Sequence, residues 1–139
     1  MFDRWKKTKA QKKSTPQNEI DGNTGSEIER IACTWLKEQG LKQLTLNYLC
    51  RYGEIDIIML DKQQLVFVEV RYRRHSSFGG AVASVDWRKQ KKIQKTAAHY
   101  LMMNSQHANL SCRFDVIAAQ ANSNNVKIDW TWIKDAFIS

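Results

Sequence analysis

Residues 53–73 constrain the fold more than any other part of this chain. Two runs, Glu54–Leu60 and Leu65–Arg73, are rich in β-branched and aromatic residues. The polar stretch Asp61-Lys62-Gln63-Gln64 separates them. Each run suits one strand, and the break suits a hairpin turn. Side chains alternate faces along a strand. Glu54, Asp56, Ile58 and Leu60 should therefore share one face, as should Leu65, Phe67, Glu69 and Arg71 on the next strand. A symmetric turn that sets Leu60 opposite Leu65 also pairs Ile58 with Phe67, Asp56 with Glu69 and Glu54 with Arg71. Two carboxylates then stand side by side.

Directly opposed residues have Cβ atoms about 4.5–5.5 Å apart, and like charges there are destabilising. Partial burial in a sheet worsens the repulsion. A divalent cation relieves it. Mg²⁺ takes one or two protein carboxylates and completes its shell with water and phosphate oxygens. Such an ion can activate water and stabilise charge during phosphodiester cleavage. The alternative is an asymmetric turn, because a slip of one residue would send one acid to solvent. Arg71, on the face of Glu69, can hold a phosphate or a developing oxyanion, but cannot act as a general base. The same register also allows it a salt bridge with Glu54.

The surrounding pattern is α-β-β-β-α-β-β. A first helix is expected over Ser26–Gln39, with Ile28, Ile31, Ala32, Trp35 and Leu36 on one face and Gly40 as its stop. Leu44–Cys50 reads as a strand before the hairpin. A second helix over Asp86–Met103 carries Ile93, Ala97, Tyr100 and Leu101 as its apolar line. Cys112–Ala119 and Val126–Ile133 read as further strands. The expected fold is α/β, a mixed sheet with helices packed on it.

With 139 residues, the chain suits one domain. Residues 1–22 read as a flexible basic tail and residues 23–139 as the folded domain. Arg4, Lys6, Lys7, Lys9, Lys12 and Lys13 crowd the tail, which either attracts phosphate or is simply a solvated terminus. The net charge is +8 overall. The domain keeps 16 basic and 11 acidic residues, so it stays basic without the tail. That excess favours a polyanionic partner. No run of eighteen apolar residues exists, so no membrane span is expected. The N-terminus lacks the apolar core of a signal peptide. Cys33, Cys50 and Cys112 are odd in number and far apart, and the histidines show no ligand spacing, so a reducing, cytoplasmic setting is the expectation. Any metal would sit on carboxylates.

The pattern D-x(n)-E-x-K/R on adjacent strands between two helices resembles the restriction-endonuclease-like nucleases, the PD-(D/E)xK enzymes. Their core is α-β-β-β-α-β, and archaeal Holliday-junction resolvases form one branch. Specific wording sharpens the resemblance: T-G-S-E-I-E-R-I-A at 24–32, G-E-I-D-I-I-M at 53–59 and V-F-V-E-V-R-Y-R-R at 66–74. F-G-G at 78–80, K-Q-K-K at 89–92, C-R-F-D-V at 112–116 and I-K-D-A-F at 133–137 continue it. Together these look like the YraN family of uncharacterised bacterial proteins. The resemblance implies metal binding by Asp56 and Glu69, with help from Glu29 on the first helix. The family lysine is Arg71 here, and the proline of "PD" is Ile55.

Glu29 has a second explanation, since Ser26-x-x-Glu29 and Thr24-x-x-Glu27 are both capping boxes. Lys89 lies in steps of four from Ile93, Ala97 and Leu101, so it should lean toward the sheet. It either takes the post of the missing lysine or lays its stem along the core edge. Arg88, Lys92, Lys95 and His99 form a separate outward stripe. Arg73, Arg74, Arg88 and Lys92 are the candidate phosphate contacts. Trp87, Trp130 and Trp132 are expected in packing rather than on bases, and Asp115 is open between bracing the site and pairing near Arg113. Three functions follow: a Mg²⁺- or Mn²⁺-dependent endonuclease on branched or structured DNA, a non-catalytic nucleic-acid-binding module, or a protein-interaction subunit. A homodimer would supply two sites for two strands.

Overall fold

A computed structural model describes residues 25–73, 85–121 and 127–137, with the side chain of Arg73 excepted. The tail at 1–22, the loop containing Arg74 and F-G-G, and the turn Asn122–Asn125 lie outside the described residues. The elements are α1 (Gly25–Glu38), β1 (Lys42–Cys50), β2 (Gly53–Asp61), β3 (Gln64–Arg73), α2 (Trp87–Met103), β4 (Ser111–Ala121) and β5 (Ile128–Ile133). A single 3₁₀ turn, Ser105–His107, follows α2.

The five strands form one sheet in the order β1-β2-β3-β4-β5. Pairing is antiparallel except between β3 and β4, which run parallel. A parallel pair needs a long crossover, and α2 lies within it. The expected mixed sheet with flanking helices is the fold observed. The hairpin register is as read on the turn side, where Leu60 faces Leu65 and Ile58 faces Phe67, but the ladder ends at Ile57–Val68, short of the expected Asp56–Glu69 and Glu54–Arg71 pairs. Lys62 turns the hairpin with a φ of 58°, the left-handed backbone that tight hairpins use.

Two cores sandwich the sheet. Ala32, Cys33 and Leu36 of α1 pack on Ile57, Met59, Val66, Val68 and Ile117. Ile93, Ala97 and Tyr100 of α2 pack on Ile55, Ile58, Leu65, Phe67 and Val116. The amphipathic line of α1 ends at Gly40, whose φ of 108° suits glycine. At the start of α2, the Asp86 carboxylate accepts from the Lys89 backbone N–H at 3.0 Å. Ser26 is the second residue of α1.

Some local readings change. His99 is not an outward residue, because its Nδ1 lies 2.6 Å from the Tyr48 hydroxyl. Trp130 and Trp132 do pack, against Trp35 at 5.7 and 6.0 Å between ring centroids. Trp87 does not pack in the core, since it is 68% exposed. The buried Asp115 carboxylate accepts from Arg113 Nε at 3.0 and 3.2 Å, Trp132 Nε1 at 2.9 Å and the Asp135 backbone N–H at 2.9 Å. It pins β4, β5 and the segment after β5, and does not brace the carboxylates of the hairpin. The three cysteines are free. Among the described residues, no helix is long and apolar enough to cross a membrane.

Candidate metal centre

The site lies where β2 and β3 part. Their backbone ladder runs from Asp61–Gln64 to Ile57–Val68. At the next position a side chain takes over: the Val70 N–H donates to Asp56 Oδ2 at 2.8 Å. This bond turns the carboxylate toward β3, into the gap between the strands.

A second irregularity places Glu54. Leu46 and Ile57 pack on the α1 side, whereas Tyr48 and Ile55 pack on the α2 side. Residues two apart on a regular strand share a face. Alternation therefore flips on both strands of the β1–β2 ribbon, across Asn47 and Asp56. Asn47 has a φ of 55°, a left-handed conformation in mid-strand that Asn tolerates better than most residues. Its side-chain amide donates to Glu54 Oε2 at 3.1 Å and to Glu29 Oε1. One amide thus ties the first helix to the start of β2.

Three carboxylates meet as a result. Glu29, Glu54 and Asp56 each offer an oxygen, and these oxygens lie within 4.8 Å of one another. All three residues are partly buried. The sequence pattern singled out Asp56, and the family resemblance Glu29, while Glu54 entered only as an open salt-bridge partner for Arg71. The unbroken alternation assumed for β2 hid its turn toward α1. An asparagine among the apolar residues Leu46, Tyr48 and Leu49 was the available clue. Of the two glutamates in the first turns of α1, Glu29 is the one in this group, while Glu27 is buried at 6% exposure.

Glu69 stands on the other side of the gap, toward α2. Lys89 Nζ and Arg71 NH2 converge on its Oε2 at 3.4 and 3.3 Å. Lys89 therefore leans toward the sheet, as its helical spacing predicts, with 42% of its side chain still exposed. Arg88 and Lys92 are exposed on α2. The structure thus brings together Glu29, Asp56, Glu69, Arg71 and Lys89 around one gap, with Glu54 added, and leaves Arg88 and Lys92 on the outer surface.

The electrostatics are strained toward protonation. Burial pushes the Asp56 carboxyl well above its usual range, and Glu69 and Glu29 push it further. The Val70 N–H pulls the other way. Burial also raises Glu69, against the pull of Lys89 and Arg71. The Nε of Arg71 is buried and finds no acceptor among the described residues. An all-oxygen donor set suits hard cations such as Mg²⁺ and Mn²⁺ rather than soft metals. Crowded acids on one side and a donor without an acceptor on the other fit a cation and an anionic oxygen together.

Comparison with known proteins places this arrangement in a family. The profile of "Uncharacterised protein family UPF0102" matches residues 28–119, which hold every carboxylate of the gap. A UPF0102 protein of Alcanivorax borkumensis is 45% identical over 117 residues, covering 84% of this chain and 93% of its own. One from Pseudomonas syringae pv. syringae is 49% identical over 115 residues, covering 83% and 93%. Another from Saccharophagus degradans is 49% identical over 114 residues, covering 82% and 92%. The chain belongs to the UPF0102 family, the YraN family that its sequence motifs resemble.

Proposed function

We propose that this protein is a divalent-metal-dependent nuclease domain that hydrolyses phosphodiester bonds in DNA, with branched or structured DNA as the substrate class. The observation that carries this reading is the meeting of Glu29, Glu54 and Asp56 within 4.8 Å, beside a cation pair. Glu29, Glu54 and Asp56 are the residues to hold Mg²⁺ or Mn²⁺, with Glu69 next to them. The bound ion would supply an activated water and charge stabilisation at the phosphate.

The chain's own groups do the rest. Arg71 would offer a phosphate oxygen its Nε, which has no acceptor among the described residues. Lys89 adds a mobile cation, and together they offset charge that develops on the phosphoryl group. Burial raises the proton affinity of Glu69, which suits it to take a proton from an attacking water. Asn47 holds Glu29 and Glu54 in place. The basic balance of the chain supplies long-range attraction for DNA. Two copies would be needed to cut both strands, which makes a homodimer part of the proposal, and the setting proposed is cytoplasmic.

A non-catalytic nucleic-acid-binding module is the second reading. The engagement of Glu69 Oε2 by both Lys89 and Arg71 favours it, because neutralised acid draws a cation less strongly. Incubating the protein with branched, flapped and linear DNA in Mn²⁺ separates the two. Cleavage that disappears in Asp56→Asn and Glu69→Ala supports the nuclease. Binding without cleavage by the wild type supports the module.

A further inference from the structure

The N-terminal half of α2 carries a feature that the carboxylate gap does not use. Trp87 is 68% exposed, on the first turn of the helix. Lys91, one turn on, places its ammonium 5.1 Å from the centre of the indole ring. Arg88, Lys91, Lys92 and Lys95 are all exposed, while Lys89 turns inward to Glu69. No Asp or Glu occurs anywhere in the 17 residues of α2. Cations near a helix N-terminus oppose the helix dipole. Three exposed ones within the first six residues outnumber the N-cap acid Asp86, and are an arrangement that an external polyanion would stabilise.

The ring narrows the choice of polyanion. An exposed indole on the first turn of the helix offers a flat apolar face within reach of phosphate-binding cations. Bases inside a duplex are stacked on each other and cannot use such a face. Unpaired bases can, and stacking on an aromatic side chain is tolerant of sequence. A lipid surface fits less well, because the apolar line of α2 (Ile93, Ala97 and Tyr100) is consumed by the core.

We propose that this face of α2 docks single-stranded DNA: Trp87 stacks on one base, and Arg88, Lys91, Lys92 and Lys95 hold the adjoining phosphates. The proposal deepens the nuclease reading. It says that the strand reaches the carboxylate gap from its Lys89 side and is unpaired where it crosses α2.

The test measures binding of a labelled oligothymidylate and of a labelled duplex by fluorescence anisotropy, with EDTA present and over a range of salt. EDTA separates docking from metal binding and hydrolysis. Trp87→Ala is expected to weaken oligothymidylate binding about tenfold and leave duplex binding nearly unchanged. Trp87→Phe is expected to restore most of the loss. Lys91→Gln with Lys92→Gln should reduce the salt slope for the single strand by about 0.7 for each phosphate that is no longer neutralised. Equal affinity of wild type and Trp87→Ala for oligothymidylate overturns the proposal. So does equal weakening toward both nucleic acids, or displacement by polyglutamate or anionic vesicles as effective as that by unlabelled oligothymidylate. Trp87-dependent binding in a protein that never cleaves would sink the nuclease reading and leave this face intact. Cleavage without any effect of Trp87 would do the reverse.

Discussion

Replacing Asp56 by Asn tests the candidate metal centre most directly, because it should move stability in opposite directions with and without metal. The oxygens of Asp56, Glu29 and Glu54 lie within 4.8 Å. Two full charges at that distance repel by about 3.5 kcal/mol at an effective dielectric constant of 20. The carboxyls escape part of that cost by protonation, which is the upward push on Asp56. Removing one charge should therefore return about 1–3 kcal/mol to the metal-free fold at neutral pH. The asparagine keeps an oxygen for the Val70 N–H, so the backbone bond at this position survives. In a domain of this size each kcal/mol is worth about 4 °C in Tm. Metal-free Asp56→Asn should thus melt roughly 4–12 °C above the metal-free wild type. Manganese at about one hundred times its Kd stabilises the wild type by about 2.7 kcal/mol, or about 10 °C. The variant should lose that shift. Differential scanning calorimetry with EDTA and with MnCl₂ reads both effects. A variant that melts below the wild type in EDTA, or that keeps the full manganese shift, refutes the idea that these acids form one cation site.

Other perturbations separate the roles further. Lys89→Met keeps the aliphatic stem and removes the charge from Glu69, so it should cut cleavage by about a hundredfold while manganese still raises Tm. Asn47→Ala loses both carboxylate bonds and the left-handed tolerance of Asn, at about 2–3 kcal/mol in urea unfolding; Asn47→Gly keeps the backbone and should cost about 1 kcal/mol less. Asp115→Asn breaks a buried pair with Arg113 and should cost about 3–5 kcal/mol, yet leave manganese affinity by titration calorimetry unchanged. Asp56 and Glu69 both have carboxyls raised in the folded state, so the fold binds protons more tightly than the unfolded chain. Their favourable contribution is present at low pH and is lost as pH rises from the ordinary carboxylate range through the raised folded values. Metal-free Tm should accordingly fall over that window, and the fall should be smaller in Asp56→Asn. Manganese affinity should rise over the same window, because the ion must displace those protons.

The elements and the hairpin register were legible from the order of residues. Alternation over Ile57–Val68 places apolar residues against two different helices, and a slip of one residue would turn the side chains of one strand to the opposite helix and break both packings. The inward lean of Lys89 was legible for the same reason, since steps of four along a helix follow the buried line. The membership of the acidic group was not legible in full. It depends on a flip of alternation at Asn47 and Asp56, and on α1 packing close enough for Glu29 to reach the same amide as Glu54. The first is a local break in the strand and the second a contact across 18 residues, and regular periodicity encodes neither. The fates of Trp130, Trp132 and Asp115 have the same character: a partner such as Trp35 on α1 or Trp132 on β5 exists only once the helix and the strands have come together. Periodicity decides which way a side chain points, and only packing decides what it meets.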